Sequence, residues 1–241
     1  TFNSRDIDDD GHKDLLMTGQ TPAIRTRLYL NDGTGNFTDI AHPFPLTSTG
    51  KAILKDLDND GDLDLFFAGR NPSQVVFTNI YRNNGMGGFT QVTNNALPKF
   101  SGPSGAAIED VDNDGDQDIV ISASATSGFV ADVYLNNGNA EFTPQGSPAF
   151  TAVKGVVAFI DIENDGDKDV VISGKDAGNA SSIKLYQNDG FGNFTLNTNS
   201  TFVALSAEDI DVADTDNDGD LDFLVNGNNQ NLLYTNNGSG V

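Results

Sequence analysis

The chain of 241 residues carries 35 acidic against 13 basic residues, a formal net charge of −22, and contains neither cysteine nor tryptophan. So acidic a surface argues against nucleic acid and anionic membrane partners, which need basic patches. The lack of cysteine excludes disulfides and thiol chemistry, and it suits a bacterial exported protein better than a eukaryotic ectodomain. No apolar stretch approaches the length of a membrane span and no opening segment reads as a signal peptide, so a mature or excised domain is expected.

In chain order, the first predicted element is a short strand near Phe2, followed by an acidic loop at 6–14 and an apolar run, Leu15-Leu16-Met17. Then come Leu28-Tyr29-Leu30-Asn31-Asp32-Gly33 and a further strand from Phe37. The same series recurs four times. Acidic loops start at Asp56, Asp110, Asp161 and Asp214, each followed by an apolar run: Leu65-Phe66-Phe67, Ile119-Val120-Ile121, Val170-Val171-Ile172 and Phe223-Leu224-Val225. These runs read as buried strands. Later in each repeat stand Tyr81-Arg82-Asn83-Asn84-Gly85, Tyr134-Leu135-Asn136-Asn137-Gly138, Tyr186-Gln187-Asn188-Asp189-Gly190 and Tyr234-Thr235-Asn236-Asn237-Gly238, so all five tyrosines hold one position. Asn-Gly and Asp-Gly favour tight hairpins because both residues tolerate positive φ. Strands resume at Phe89, Phe142 and Phe194, whereas the fifth repeat shows no strand after its hairpin. The third hairpin has Asn139-Ala140-Glu141 where others carry a glycine, and a different shape is expected there.

Each acidic loop reads carboxylate-x-carboxylate-x-Asp-Gly-x-x-Asp. Alternate side chains can converge on one cation, the glycine permits a sharp reversal, and the seventh residue can offer its carbonyl, as hard-oxygen calcium sites require. The candidate ligands are Asp6, Asp8, Asp10, His12 by its carbonyl, and Asp14; then Asp56, Asp58, Asp60, Asp62 and Asp64; Asp110, Asp112, Asp114, Asp116 and Asp118. The fourth loop offers Asp161, Glu163, Asp165, Asp167 and Asp169, the fifth Asp214, Asp216, Asp218, Asp220 and Asp222. A helical EF-hand would continue to a bidentate Glu at position 12, but here a strand follows, so the loop belongs to a β-hairpin. Ordinary Asp/Gly turns are the bland reading of one copy; five copies in register weigh against it. Five acidic residues in each loop account for 25 of the 35, and five Ca²⁺ ions would cut the net charge to about −12.

Repeats of 50 to 54 residues with two hairpins each predict an all-β fold: a β-propeller of four-stranded antiparallel blades, five-bladed or part of a larger ring. The loops and hairpins resemble the FG-GAP and VCBS repeat family of integrin α-subunit heads and bacterial surface proteins. The resemblance covers essentially the whole chain as one domain, 1–241, with approximate repeats 1–46, 47–100, 101–150, 151–202 and an incomplete 203–241. It implies calcium, about one ion per repeat, held by the four acidic side chains and the position-7 carbonyl of every loop.

The calcium loops and Asn-Gly hairpins are expected on one face of the blades, and the connections that differ most between repeats on the other. Variable loops on a fixed scaffold are where recognition resides. Arg25, Arg27, Lys51, Arg70, Lys99, Lys154 and Lys175 map to those connections, either to meet an acidic glycan or a partner's carboxylates or as plain solvated charges. Phe100, Phe150 and Phe202, with Leu46 in the equivalent place, are expected to close the core between blades. Three functional classes stay open. The leading one is an extracellular or cell-surface adhesion module for a carbohydrate or protein ligand, belonging to a larger chain. The others are a structural spacer or filament subunit, and a glycan lyase or hydrolase. Against the enzyme stand only two histidines, His12 and His42, and no carboxylate pair outside the loops with the spacing of a catalytic dyad; Asp209 and Asp211 fall on one face of a strand leading to the fifth loop.

Overall fold

The computed structural model describes residues 2–20, 23–102, 105–146 and 150–238, and the architecture within them is all-β. Blade 1 holds β1 (Phe2–Arg5), β2 (Asp14–Gln20), β3 (Ile24–Asn31) and β4 (Phe37–Ile40). Blade 2 holds β5 (Gly50–Lys55), β6 (Asp64–Arg70), β7 (Val76–Arg82) and β8 (Thr90–Val92). In blade 3 are β9 (Ala106–Glu109), β10 (Asp118–Ala125), β11 (Gly128–Asn136) and β12 (Phe142–Pro144), and in blade 4 β13 (Lys154–Ile160), β14 (Asp169–Lys175), β15 (Ser181–Asn188) and β16 (Phe194–Leu196). Blade 5 has three described strands, β17 (Asp209–Ala213), β18 (Asp222–Gly227) and β19 (Gln230–Tyr234). Each sheet is an antiparallel meander in sequence order, as β-propeller blades are. Its acidic loop joins the first and second strands.

The chain groups into two compact units, residues 1–103 with 136–143, and 104–135 with 144–241. Within each, blades stack through one repeated contact. The trailing face of a blade presents loop position 2, the middle residue of the apolar run and the residue before Tyr. The leading face of the next blade presents the outer two residues of its run and the Tyr ring. In the first unit Ile7, Leu16 and Leu28 pack on Leu65, Phe67 and Tyr81; in the second, Val111, Val120 and Val133 pack on Val170, Ile172 and Tyr186, and Ile162, Val171 and Leu185 on Phe223, Val225 and Tyr234. A central strand with both faces covered has no use for alternation. Hence the unbroken apolar runs at Leu65-Phe66-Phe67 and Ile119-Val120-Ile121, all fully buried.

Three expectations change. The end blades do not bury their runs completely, for Met17 of blade 1 and Leu224 of blade 5 are 43% and 37% exposed. They lie on the leading face of the first blade and the trailing face of the last. The equivalent of Phe150 and Phe202 is Phe44, 5% exposed, rather than Leu46 at 45%. Phe44 meets Tyr81 edge to face at 4.9 Å, as Phe150 meets Tyr186 at 4.9 Å and Phe202 meets Tyr234 at 5.1 Å. Each ring therefore packs on the tyrosine of the blade that follows it, a favoured aromatic geometry. Finally, the third hairpin keeps the common shape: Ala140 adopts φ 54°, where the other repeats place Gly35, Gly87 or Gly192, and its N–H donates to the Leu57 carbonyl at 2.9 Å. Residues 21–22, 103–104 and 147–149 of the expected variable connections lie outside the described residues.

Candidate metal centre

The five loops share one backbone. Position 4 is left-handed in every copy, at Asp9 (φ 57°), Asn59 (60°), Asn113 (60°), Asn164 (57°) and Asn217 (63°), and the glycine at position 6 follows with φ between 90° and 97°. Asn and Asp tolerate that region better than other side-chain-bearing residues. The position-1 carboxylate receives the glycine N–H, from Gly11 to Asp6 at 2.9 Å through to Gly219 to Asp214 at 3.1 Å. The position-5 carboxylate receives the N–H of position 7, at 2.8 Å for His12 to Asp10 and 3.0 Å for Asp62 to Asp60. Each loop is thus wound by its own side chains.

What remains after that winding is a set of oxygens with nothing to accept. Oδ1 of Asp6, Asp8, Asp56, Asp58, Asp110 and Asp112, and Oε2 of Glu163, are buried without a hydrogen-bond partner. Oxygens of Asp6, Asp8 and Asp10, of Asp56, Asp58 and Asp64, of Asp110, Asp112 and Asp118, and of Asp214, Asp216 and Asp218 lie within 4.8 Å of one another. Buried anionic oxygens left unpaired are costly. Burial and neighbouring carboxylates accordingly raise the pKa of the position-3 acid in all five loops: Asp8, Asp58, Asp112, Glu163 and Asp216. A hard cation with oxygen preference fits this donor set.

The position-9 aspartates do more than face the loop centre. Asp14, Asp64, Asp118, Asp169 and Asp222 are at most 1% exposed. Asp64 accepts Leu57 N–H at 3.0 Å through one oxygen and Asn83 N–H at 2.8 Å through the other, tying loop position 2 to the Asn that follows the tyrosine strand. Asp14, Asp169 and Asp222 make the same double bridge. Desolvation pushes Asp64 and Asp169 up to about 7 despite those donors. Asp222 runs the other way: a hydrogen bond from the Thr215 hydroxyl, at a position that is Ile, Leu or Val in the other loops, lowers its pKa. This anchoring role was hidden in the sequence, because ligand and anchor want the same carboxylate.

Loop 4 is built differently. Glu163, one methylene longer, is bonded by Gln187 Nε2. In loop 2 the residue after Tyr81 is Arg82, whose guanidinium lies 3.2 Å from Asp58. Position-7 side chains rest against the hairpin glycines of their own blades: a Cβ at Gly85 would lie 2.7 Å from Asp62 Oδ2, and one at Gly33 2.1 Å from His12 Nε2. Loop and hairpin therefore sit side by side at one end of the blade. Of the basic residues expected in the connections, only Lys99 lies in one: Arg25 and Arg27 stand in β3, and Lys51, Arg70, Lys154 and Lys175 at or next to the ends of β5, β6, β13 and β14. Arg27 pairs with Asp39 at 3.0 Å, Arg70 contacts Gln74 and Ser101, and Lys184 of β15 bonds Thr151. His42 is held in the fold, its Nε2 3.1 Å from the Thr26 carbonyl and its ring stacked on Phe44.

Antiparallel blades, each opening with a self-wound acidic loop, define a β-propeller repeat protein. The chain belongs to the FG-GAP-like repeat family, whose model matches residues 56–121 and 161–225. Each match runs from the first carboxylate of one loop to the end of the apolar run after the next, and together they take in loops 2 to 5. No curated protein matches the chain. Among solved structures it is similar to a fructofuranosidase from Schwanniomyces occidentalis complexed with fructose, at 10% identity and a TM-score of 0.48, over 92% of this chain and 53% of that one. The chain thus spans about half the length of that protein.

Proposed function

We propose that the protein is an extracellular, cell-surface module of a larger chain, a calcium-binding β-propeller that recognises a carbohydrate or protein ligand, with the calcium serving structure rather than catalysis. The observation that carries the calcium is the set of seven buried carboxylate oxygens left without donors in loops 1 to 4. Position-1, position-3 and position-5 oxygens, with the position-7 carbonyl and, where its oxygen faces in, the position-9 carboxylate, would hold the ion. Extracellular calcium modules bind with dissociation constants of about 10⁻⁴ to 10⁻³ M, so millimolar calcium stabilises each site by roughly 0.4 to 1.4 kcal/mol. Five sites supply roughly 2 to 7 kcal/mol, comparable to the stability of a whole domain.

Recognition is assigned to the end of the blades away from the loops. There the start of β3 and the β4–β5 connection shape a recess of about 280 Å³ lined by Arg25, Thr26, Arg27, His42 and Leu46. His42 is held against Phe44 and the Thr26 carbonyl, and His12 lies exposed beside Gly33 with no acidic partner pair outside the loops among the described residues, which favours binding over acid–base chemistry.

Two measurements test the reading. Melting with calcium and with chelator should differ by upward of about 5 °C, and identical curves would remove calcium from the proposal. Binding to a broad glycan and polysaccharide array should then be calcium-dependent. Silence from a folded, calcium-loaded protein would shift recognition to a protein ligand.

A further inference from the structure

The residue that follows each tyrosine separates the five loops into kinds. In chain order it is Leu30, Arg82, Leu135, Gln187 and Thr235. Leucine and threonine offer no side-chain nitrogen to the loop beside them, whereas Arg82 and Gln187 both reach the position-3 acid of their own blade. Their effects differ. Gln187 Nε2 donates to one oxygen of Glu163 and brings no charge. Arg82 sets a full positive charge against Asp58, its Nε 3.2 Å from Oδ2. The other oxygen of that carboxylate, Oδ1, is buried without a donor, and oxygens of Asp56, Asp58 and Asp64 lie within 4.8 Å of one another. One aspartate thus faces a resident cation and the loop centre at once.

Arg82 is fixed there from two sides. Its Nη2 donates to the Asn139 carbonyl, in a hairpin that is itself held on loop 2. The carbonyl of Leu57, the residue before Asp58, accepts Asn136 Nδ2 at 2.8 Å and the Ala140 N–H at 2.9 Å. All of these groups belong to the first compact unit. A surface ion pair ordinarily contributes little, because two free side chains must be ordered to form it. Here the fold has already positioned the guanidinium, so its charge stays beside the loop.

We propose that Arg82 is an internal counter-cation of loop 2, which competes with calcium for Asp58 and lowers the affinity of that loop for the ion. The inference rests on the calcium reading of the loops given above. A unit positive charge one carboxylate away opposes a divalent ion. The guanidinium is 37% exposed and therefore partly screened, so the effect expected is about tenfold in affinity and not several orders of magnitude. Asp9, which lies against Asp62, adds negative charge near the same loop and works the other way. The contribution of Arg82 is accordingly read from its replacement rather than from the rank of loop 2 among the five.

Each loop carries its own reporter, the glycine N–H that the position-1 carboxylate accepts, from Gly61 to Asp56 at 3.0 Å and from Gly219 to Asp214 at 3.1 Å. A calcium titration of the full chain, followed by the amide resonances of Gly11, Gly61, Gly115, Gly166 and Gly219, measures every site separately. Arg82→Gln copies the residue of blade 4 and removes only the charge. It should move the Gly61 midpoint to about tenfold lower calcium and leave the other four in place. The sign is decisive, since mere loss of a structural contact would loosen loop 2 and move its midpoint to higher calcium. Thr235→Arg, at an exposed position, makes the converse change in a blade whose fold Arg82 does not touch, and should move the Gly219 midpoint about tenfold higher. A Gly61 midpoint unmoved or raised by Arg82→Gln overturns the proposal while leaving calcium in the loops, as does a Gly219 midpoint indifferent to Thr235→Arg. If no glycine of the unaltered chain responds to millimolar calcium, the calcium reading itself fails and the proposal falls with it.

Discussion

At position 4 of the acidic loop a single carboxylate stands where the other copies have an amide. Asn113 donates to Asp167 of the next blade at 2.8 Å, and Asn164 reaches Asp220 in the same way. In the first loop the residue is Asp9, which lies against Asp62, so two acids share the contact that elsewhere joins an amide to an acid. Burial first, and then the hydrogen bond with Asp9, raise the pKa of Asp62. Like charges at such a distance repel. Asp9→Asn keeps the left-handed backbone, which asparagine accepts as readily, and restores a donor. It should raise the melting midpoint, and more in chelator than in calcium, because a cation held as proposed would already offset the repulsion. A midpoint unmoved or lowered in differential scanning calorimetry would show that the contact between Asp9 and Asp62 costs the fold nothing. The hairpin glycines give the opposite experiment. Gly190 has φ 75°, and a Cβ there would lie 2.6 Å from Asp167 Oδ2. Gly190→Ala should cost about 1–2 kcal/mol in urea unfolding from backbone strain alone, with weaker calcium binding in loop 4 as Asp167 is displaced.

Between elements, the Asn latch is the contact that the sequence showed least. Asn188 is 7% exposed, and its amide serves both the Val111 carbonyl of the preceding blade and the Lys168 carbonyl of its own. Asn188→Ala would strand a buried carbonyl, at a cost of about 1–3 kcal/mol. Asn31→Ala removes only an exposed bond and should cost no more than roughly 0.5 kcal/mol. Equal losses in parallel urea titrations would show that the latch carries no stacking energy. The strand order, the hairpins and the clustering of the loop carboxylates were legible because each repeats in fixed register: Tyr81 and Tyr186 mark the third strand, and Asp-Gly marks each reversal. The latch was not, since a side chain recurring one step after Tyr-x gives no sign of which neighbouring blade it reaches. Phe44 was missed for a related reason. The connections before each blade differ in length, so counting back from the loop pointed to Leu46, whereas packing on Tyr81 selects Phe44. The shape of the third hairpin was misjudged because Ala140 pays a steric penalty that its buried N–H bond to Leu57 offsets.

For the whole molecule, the proposed calcium sites would make stability depend on pH and calcium together. Asp64 and Asp169 rise from 3.8 to about 7 through desolvation, and the position-3 acids rise as well. A carboxyl whose folded pKa lies above its unfolded one holds its proton more tightly when folded. Its contribution is complete below 3.8 and is lost as pH climbs through the folded value. Asp222, Asp32 and Asp189, lowered by hydrogen bonds, act only at the acid end, where their contribution disappears as pH falls below 3.8. Without calcium, then, the protein should melt at progressively lower temperature from about pH 4 to pH 7. Calcium held as proposed would invert the logic, because a cation binds the ionised form and gains affinity as protons leave. In calcium the midpoint should stay level or rise across the same interval, so the gap between loaded and chelated protein widens with pH. Melting series at several pH values with and without chelator measure that gap directly. A gap constant from pH 4.5 to 7.5 would mean that the buried carboxyls are ionised in the folded state whether or not the ion is present.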